Sequence, residues 1–229
     1  MTALKRGSKR AVCFHEAGHV VAGLAVGLCP TSATVERGRA GYEGLVRYDN
    51  GYGLLPPRDR IACSVAGVVA ESVHGWAVDI ERCLFQGVEM FNCLEQAREC
   101  GETNKEDDVA NSCGGGSTVD FFQAYADALE HVGPVESFIP PGKRKTKRAR
   151  GSAWVDRCTA AERLVVTIYN ETRSYLQRED VANVTLRVAC RLYRGPITGP
   201  LYSYVGSIRQ LPGSRAESIR AAMTARAEG

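Results

Sequence analysis

The chain has no apolar run long enough to cross a membrane as a helix. Its longest, Val20 to Cys29, spans ten residues, about half of the roughly 20 that a spanning helix needs. It has no CxxC pair, and its nine cysteines are an odd number. That excludes a disulfide framework and fits reduced thiols in the cytoplasm. Four of them, Cys83, Cys93, Cys100 and Cys113, fall in one stretch, but their spacing matches no zinc-ribbon pattern. No GxxxxGK[ST] loop is present: "PPGKRK" has neither the spacing nor the Ser/Thr, and "GGGST" lacks the lysine. A nucleotide-driven motor is therefore not expected within this sequence. A strong charge imbalance is also missing. The net charge of +3 is too small for a general polyanion-binding surface, and the local excess sits in "KRKTKRAR", residues 143–150. That stretch has no interleaved aromatics, so it reads as a solvated loop with at most weak, salt-dependent phosphate binding. Neither nucleic acid nor membrane is an expected partner. The basic, then apolar, N-terminus is not an export signal either, because His15, Glu16 and His19 lie inside what would be its apolar core.

What is present is the composition of an ordinary globular protein, 44% hydrophobic and 24% charged over 229 residues. The pattern reads as mainly α with a small β-sheet, an α+β class. Residues 9–28 form a helix, and the alternation with glycine over 31–49 forms a hairpin. Residues 58–75 form an apolar helix stopped by Gly75. Residues 76–116 are irregular in pattern, with a helix near 88–100, an acidic "KEDD" and a helix-breaking "CGGGS". Residues 117–133 form an amphipathic helix with Ser117 or Thr118 as N-cap and Gly133 as terminator. A Pro-rich and then basic exposed loop occupies 134–152. Two helices follow over 153–178 and 180–193, and then the irregular or extended "RGPITGPLYSYVG". The expected organisation is an arm (1–8), one domain (9–206) and a charged tail (207–229).

The chemistry concentrates in "FHEAGHVVAGLAVG". On a helix, positions four apart share a face. His15 and His19 can therefore offer imidazole nitrogens to one zinc ion, with Glu16 beside them as a base toward a water that the ion polarises. A purely structural site has no need of Glu16. The motif opens an apolar run, where a solvated polar stripe is out of place.

Two ligands do not complete a zinc site. The metzincin pattern puts glycine and histidine three and six residues after the second histidine; Ala22 and Ala25 stand there instead. Glu71 is a carboxylate in the apolar "VAGVVAESVHG" and needs a partner. Asp120 in "STVDFFQA" begins a helix, and so do Asp107 and Asp108 in "EDDVANS". All four remain open as the third ligand.

The order of these features resembles the peptidase domain of the FtsH-type AAA+ zinc proteases, over about residues 9–206. "FHEAGHVVAGLAVG" looks like that family's HEAGH helix, and "ATVERGRAGYEG" is similar to its PRGRALG-like strand. "AGVVAESVHG" matches the spacing of its GGRxAEExxxG helix at Gly67, Ala70, Glu71 and Gly75, although Val68 replaces the arginine. "GGGSTVDFFQA" looks like its TGASNDxxxA segment, and "TRSYLQREDVANVTLRVACRLYRGPITGPLY" resembles its closing helices. The resemblance implies a zincin-like helical peptidase. In it His15, His19 and Asp120 hold Zn2+, Glu16 is the base, and Glu71 is a carboxylate behind the histidines. The 31–49 strand becomes an edge on which a peptide adds by main-chain pairing. Residues 76–116 then form an insertion, and the family's ATPase and membrane anchor are not found in this sequence.

Such a domain is expected to cleave flexible or unfolded polypeptides, alone or with a separate unfoldase. The alternatives are a catalytically degenerate zinc-binding regulatory protein and a protease dedicated to one regulator. His74 and His131 are expected at helix ends, favoured there by the helix dipole, with His74 also a possible neighbour of the site. Trp76 and Trp154 are expected in the core or covering it.

Overall fold

The computed structural model describes residues 7–38, 41–48, 51–99, 116–140 and 147–199. Among them are six α-helices and one three-stranded antiparallel sheet, as the α+β pattern implied. The helices are α1 (Lys9–Ala25), α2 (Pro57–Val73), α3 (Ile80–Glu99), α4 (Gly116–Val132), α5 (Lys147–Leu176) and α6 (Glu179–Arg194). The strands are β1 (Pro30–Arg37), β2 (Tyr42–Tyr48) and β3 (Ile197–Thr198). None of the described helices is long and apolar enough to cross a membrane.

Helix α1 starts where Ser8 caps it, the side chain accepting from the Ala11 amide at 3.2 Å. It ends before Gly27, whose φ of 86° suits only glycine. Its residues are buried on nearly every side, which makes it the central helix. It packs on α2, α6 and the sheet. Strands β1 and β2 pair as the expected hairpin, with Arg37 opposite Tyr42. β3 pairs with the other side of β1, leaving β2 at one edge in the order β2-β1-β3.

Helix α2 opens on Pro57, a residue preorganised for the first turn. It runs antiparallel to α1, since His15 meets Glu71 and His19 meets Cys63. The two axes approach closely at Gly18. A Cβ there would collide with the Ala66 carbonyl oxygen and lie 2.7 Å from the Ala70 Cβ.

Several boundaries differ from the expected ones. Helix α3 begins at Ile80 rather than near 88, because Asp79 accepts from the Arg82 amide at 2.9 Å and caps it. Ser117 and Thr118 lie within the first turn of α4 instead of capping it. The basic stretch is not all loop: α5 starts at Lys147, with Arg148 and Arg150 in its first turn. Lys, Arg and Ala are good helix formers, and the apolar pattern that follows extends them. Pro134 instead leads into a short 3-10 turn, Val135–Phe138. Trp76 is in the core, whereas Trp154 is 40% exposed, with the Arg157 guanidinium over its ring. Cys83 is buried and Cys93 exposed. Cys100, Cys113, Asp107, Asp108 and the 207–229 tail lie outside the described residues.

Candidate metal centre

His15 and His19 project from one face of α1, one turn apart, with ring centroids separated by 4.8 Å. Each ring is held from behind by α2. The Nδ1 of His15 lies 2.8 Å from Glu71 Oε1, and the Nδ1 of His19 lies 2.8 Å from the Cys63 carbonyl oxygen. A carbonyl oxygen only accepts, so His19 carries a proton on Nδ1; the Glu71 carboxylate imposes the same on His15. Both Nε2 atoms are left facing forward, in the arrangement that outer carboxylates and carbonyls give metal-binding histidines.

The group they face is Asp120, in the second turn of α4. Its Oδ2 lies 2.9 Å from His15 Nε2, and its Oδ1 lies 3.5 Å from His19 Nε2. Two donors about 2.0–2.1 Å from a tetrahedral zinc ion stand roughly 3.3 Å apart, so these separations bracket what such an ion requires. One ligand atom from each of the three residues fits within 4.8 Å of the others, forming a group able to hold a metal ion. Asp120 Oδ2 is buried, and its close polar neighbour among the described residues is His15 Nε2, at ion-pair distance. The three donor groups face one small space within 4.8 Å of one another. Two imidazoles and a carboxylate form a donor set suited to zinc.

The electrostatics agree. Burial disfavours the charged form of His15, but Asp120, Glu71 and Glu16 outweigh it and lift its pKa well above the usual value. His19 is raised in the same way, burial again opposing and Asp120 prevailing. Burial pushes Asp120 up, yet the two histidines hold its carboxyl at about 2. In the metal-free protein the Asp120 carboxylate and the protonated imidazoles thus stabilise one another.

Gly67 of α2 leaves room for the two imidazoles themselves. A Cβ at this position would lie 2.5 Å from His19 Nε2 and 2.6 Å from His15 Nε2. Gly67→Ala is therefore expected to push both imidazoles out of place and abolish stoichiometric metal binding while the helices still form. Metal content and circular dichroism of the purified variant check it, and a variant with full metal content would refute this role for Gly67.

Glu16 is buried beside the histidines and lines the same cleft. Burial raises its pKa, against the opposing pull of His19 and His15. Gly44 of the edge strand β2 lies directly against this side chain, where a Cβ would collide with the carboxylate. The cleft measures about 400 Å³ and is walled by β2 (Leu45, Val46), by Tyr48 and Tyr52, and by Val119 of α4. The Tyr48 hydroxyl donates to the His19 carbonyl at 2.8 Å, tying β2 to the motif helix.

Of the expected residues, the fold brings together His15, Glu16, His19, Asp120 and Glu71. Glu71 meets the back of His15, not the side where the ligands converge. His74 caps the end of α2 and packs on the Phe14 ring at 4.4 Å; burial lowers its pKa. His131 lies in the last turn of α4, as the dipole favours. Nothing in the residue pattern marks the Cys63 carbonyl or Gly67 as neighbours of these histidines. A backbone carbonyl leaves no trace in residue identity, and a glycine in an apolar helix has many explanations. No protein-family model matches the chain, and a search of curated proteins gives no match.

Proposed function

We propose that this chain is a zinc-dependent metallopeptidase of zincin-like, FtsH-type character that hydrolyses flexible or unfolded polypeptides. The observation that carries the reading is the gathering of both HEAGH histidines and the Asp120 carboxylate within 4.8 Å of one another, with Glu16 lining the same cleft. His15, His19 and Asp120 would hold the ion. When bound, zinc supplies a Lewis acid that acidifies a water and polarises a carbonyl oxygen.

The chain's own residues would do the rest. Glu16, buried beside the histidines, would take the proton from the attacking water and deliver it to the leaving amine. Glu71 and the Cys63 carbonyl keep both imidazoles in the tautomer that presents Nε2. The edge strand β2, whose outer side has no partner strand among the described residues, would offer a template on which an extended peptide adds by main-chain hydrogen bonds. Leu45, Val46, Tyr48, Tyr52 and Val119 give the cleft an apolar lining. That lining suits large apolar side chains, which unfolded segments expose and folded proteins bury.

The test is incubation of purified, zinc-loaded protein with a permanently unfolded polypeptide and with a stable folded reporter. Cleavage of the first but not the second is expected, and both a chelator and the removal of Glu16 should stop it. Unaided hydrolysis of the folded reporter would overturn the preference for unfolded chains. Zinc binding with no cleavage of any peptide would favour the alternative, a regulatory zinc protein.

A further inference from the structure

We propose that Arg60 of α2 and Asp127 of α4 form a clamp that places Asp120 against the two histidines, making this ion pair the positioning device for the third ligand. The proposal rests on the metal-binding reading above.

The need for such a device follows from how α4 is held. Among the described residues, α4 packs extensively on α2, α3 and α5 but hardly on α1, which carries the histidines. The ligand from α4 and the ligands from α1 are therefore registered to each other through α2. Helix α2 presents one stripe for this purpose, with Arg60, Cys63, Gly67 and Glu71 spaced three or four apart. Cys63 and Glu71 orient the imidazoles, Gly67 leaves the space, and Arg60 reaches α4.

Arg60 is 8% exposed, and its bonds are directional. Its Nε donates to Asp127 Oδ1 at 2.7 Å, one terminal nitrogen donates to the Leu55 carbonyl at 3.0 Å, and the other reaches Glu130. Its own carbonyl accepts from the Tyr52 hydroxyl at 3.2 Å, so the same residue also fixes the wall of the cleft. Seven residues separate Asp120 from Asp127 on α4, and seven separate Gly67 from Arg60 on α2, in the opposite sense. Seven residues are two turns, about 10.5 Å, and return to the same face. The metal level (Gly67 and Asp120) and the clamp level (Arg60 and Asp127) are thus two rungs of one antiparallel ladder.

Apolar packing alone tolerates sliding and rotation, whereas a guanidinium bonded through several nitrogens does not. Buried ion pairs contribute little stability over an apolar pair, and fixing register is their best-attested use. A one-turn slip would displace Asp120 by about 5.4 Å and dismantle the site.

The experiment measures zinc affinity by competition with a chromophoric chelator and the visible spectrum of the cobalt(II) form, which reports ligand number and geometry. Asp127→Asn and Arg60→Lys are compared with wild type and with Glu171→Gln. The last breaks the exposed Arg58–Glu171 pair between α2 and α5, which lies away from the cleft. Metal-free Asp127→Asn and Arg60→Lys should keep the wild-type circular dichroism, lose about 10–100-fold in zinc affinity and show an altered cobalt spectrum. Glu171→Gln should match wild type in both. A folded Asp127→Asn with wild-type affinity and spectrum overturns the proposal and leaves the pair a stabilising contact only. Should the single variants not fold, the double substitution Arg60→Met with Asp127→Leu, which removes both buried charges and leaves only the exposed Glu130 without its arginine, takes their place under the same criteria. If that too fails to fold, the pair is a determinant of folding and the proposal falls. Wild-type protein that takes up neither zinc nor cobalt would instead sink the metal reading beneath it.

Discussion

Glu16→Gln is expected to keep its zinc and lose peptide hydrolysis by a factor of about 10² to 10⁴, the usual worth of a positioned general base. The substitution is isosteric, and Glu16 is not among the converging ligand atoms. Metal content, fold and cleft shape should therefore be retained. What disappears is the carboxylate that accepts a proton. The pH profile of the wild type should carry the same signature. The acid limb of activity should report protonation of Glu16, whose pKa burial raises and a bound cation lowers. It should be absent from the residual rate of the variant. Hydrolysis of an unfolded substrate by both proteins, followed across pH at constant zinc occupancy, measures this. Equal rates would remove Glu16 from the chemistry. Loss of zinc by the variant would mean that the glutamate is structural.

Asp120→Ala should abolish stoichiometric zinc binding, taking the metal from about one ion per chain to near none. Asp107→Ala and Asp108→Ala should retain it. Glu71→Gln should fall between, with affinity weakened about 10–100-fold, because it acts on the back of His15 rather than on the ion. A metal-to-protein ratio for each purified variant decides among them, and full occupancy in Asp120→Ala would exclude it as a ligand.

The protonation of the site adds a direction to the same experiment. In the metal-free protein the pKa values of both histidines are raised, burial opposing and Asp120 prevailing. Their pairing with Asp120 therefore stabilises the metal-free fold fully below the ordinary histidine pKa, and this contribution is lost as pH rises through the raised values. Zinc needs both Nε2 atoms unprotonated, so it competes with those protons. Zinc affinity should consequently fall as pH falls, starting at a higher pH than ordinary histidines would set, with release of protons on binding. Titrations at several pH values in buffers of different ionisation enthalpy read both quantities. A pH-independent affinity would contradict the site as described.

Local rules carried a good part of the fold. The period of the apolar residues gave α1, α2, α4, α5 and α6, and alternation with glycine gave the β1–β2 hairpin. The misreadings have local causes too. Asp79 was available as a cap for α3, but the apolar pattern after it is too weak to show where the helix begins. The start of α5 was hidden because "KRAR" reads as charge before it reads as helix. β3 is only two residues long and exists because β1 has a free edge for it, a condition that no window of sequence contains.

The candidate site divides in the same manner. His15, Glu16 and His19 belong together because a helix repeats every 3.6 residues, and that follows from the residues themselves. The third partner does not. Glu71, Asp107, Asp108 and Asp120 all carry suitable oxygens, and sequence separation does not rank them. The tertiary structure brings Asp120 to the Nε2 side and Glu71 to the Nδ1 side of the same ring, while Asp107 and Asp108 lie outside the described residues. It also supplies what residue identity cannot express: a backbone carbonyl at Cys63 that fixes a tautomer, and an absent Cβ at Gly67 that lets both imidazoles lie against α2. The sequence by itself determined the chemistry on offer, because ligand type and helical spacing are local properties. Only the packing of α1 and α4 on α2 put Asp120, and not Glu71, on the Nε2 side of the histidines. That choice depends on angstrom-scale distances between segments far apart along the chain.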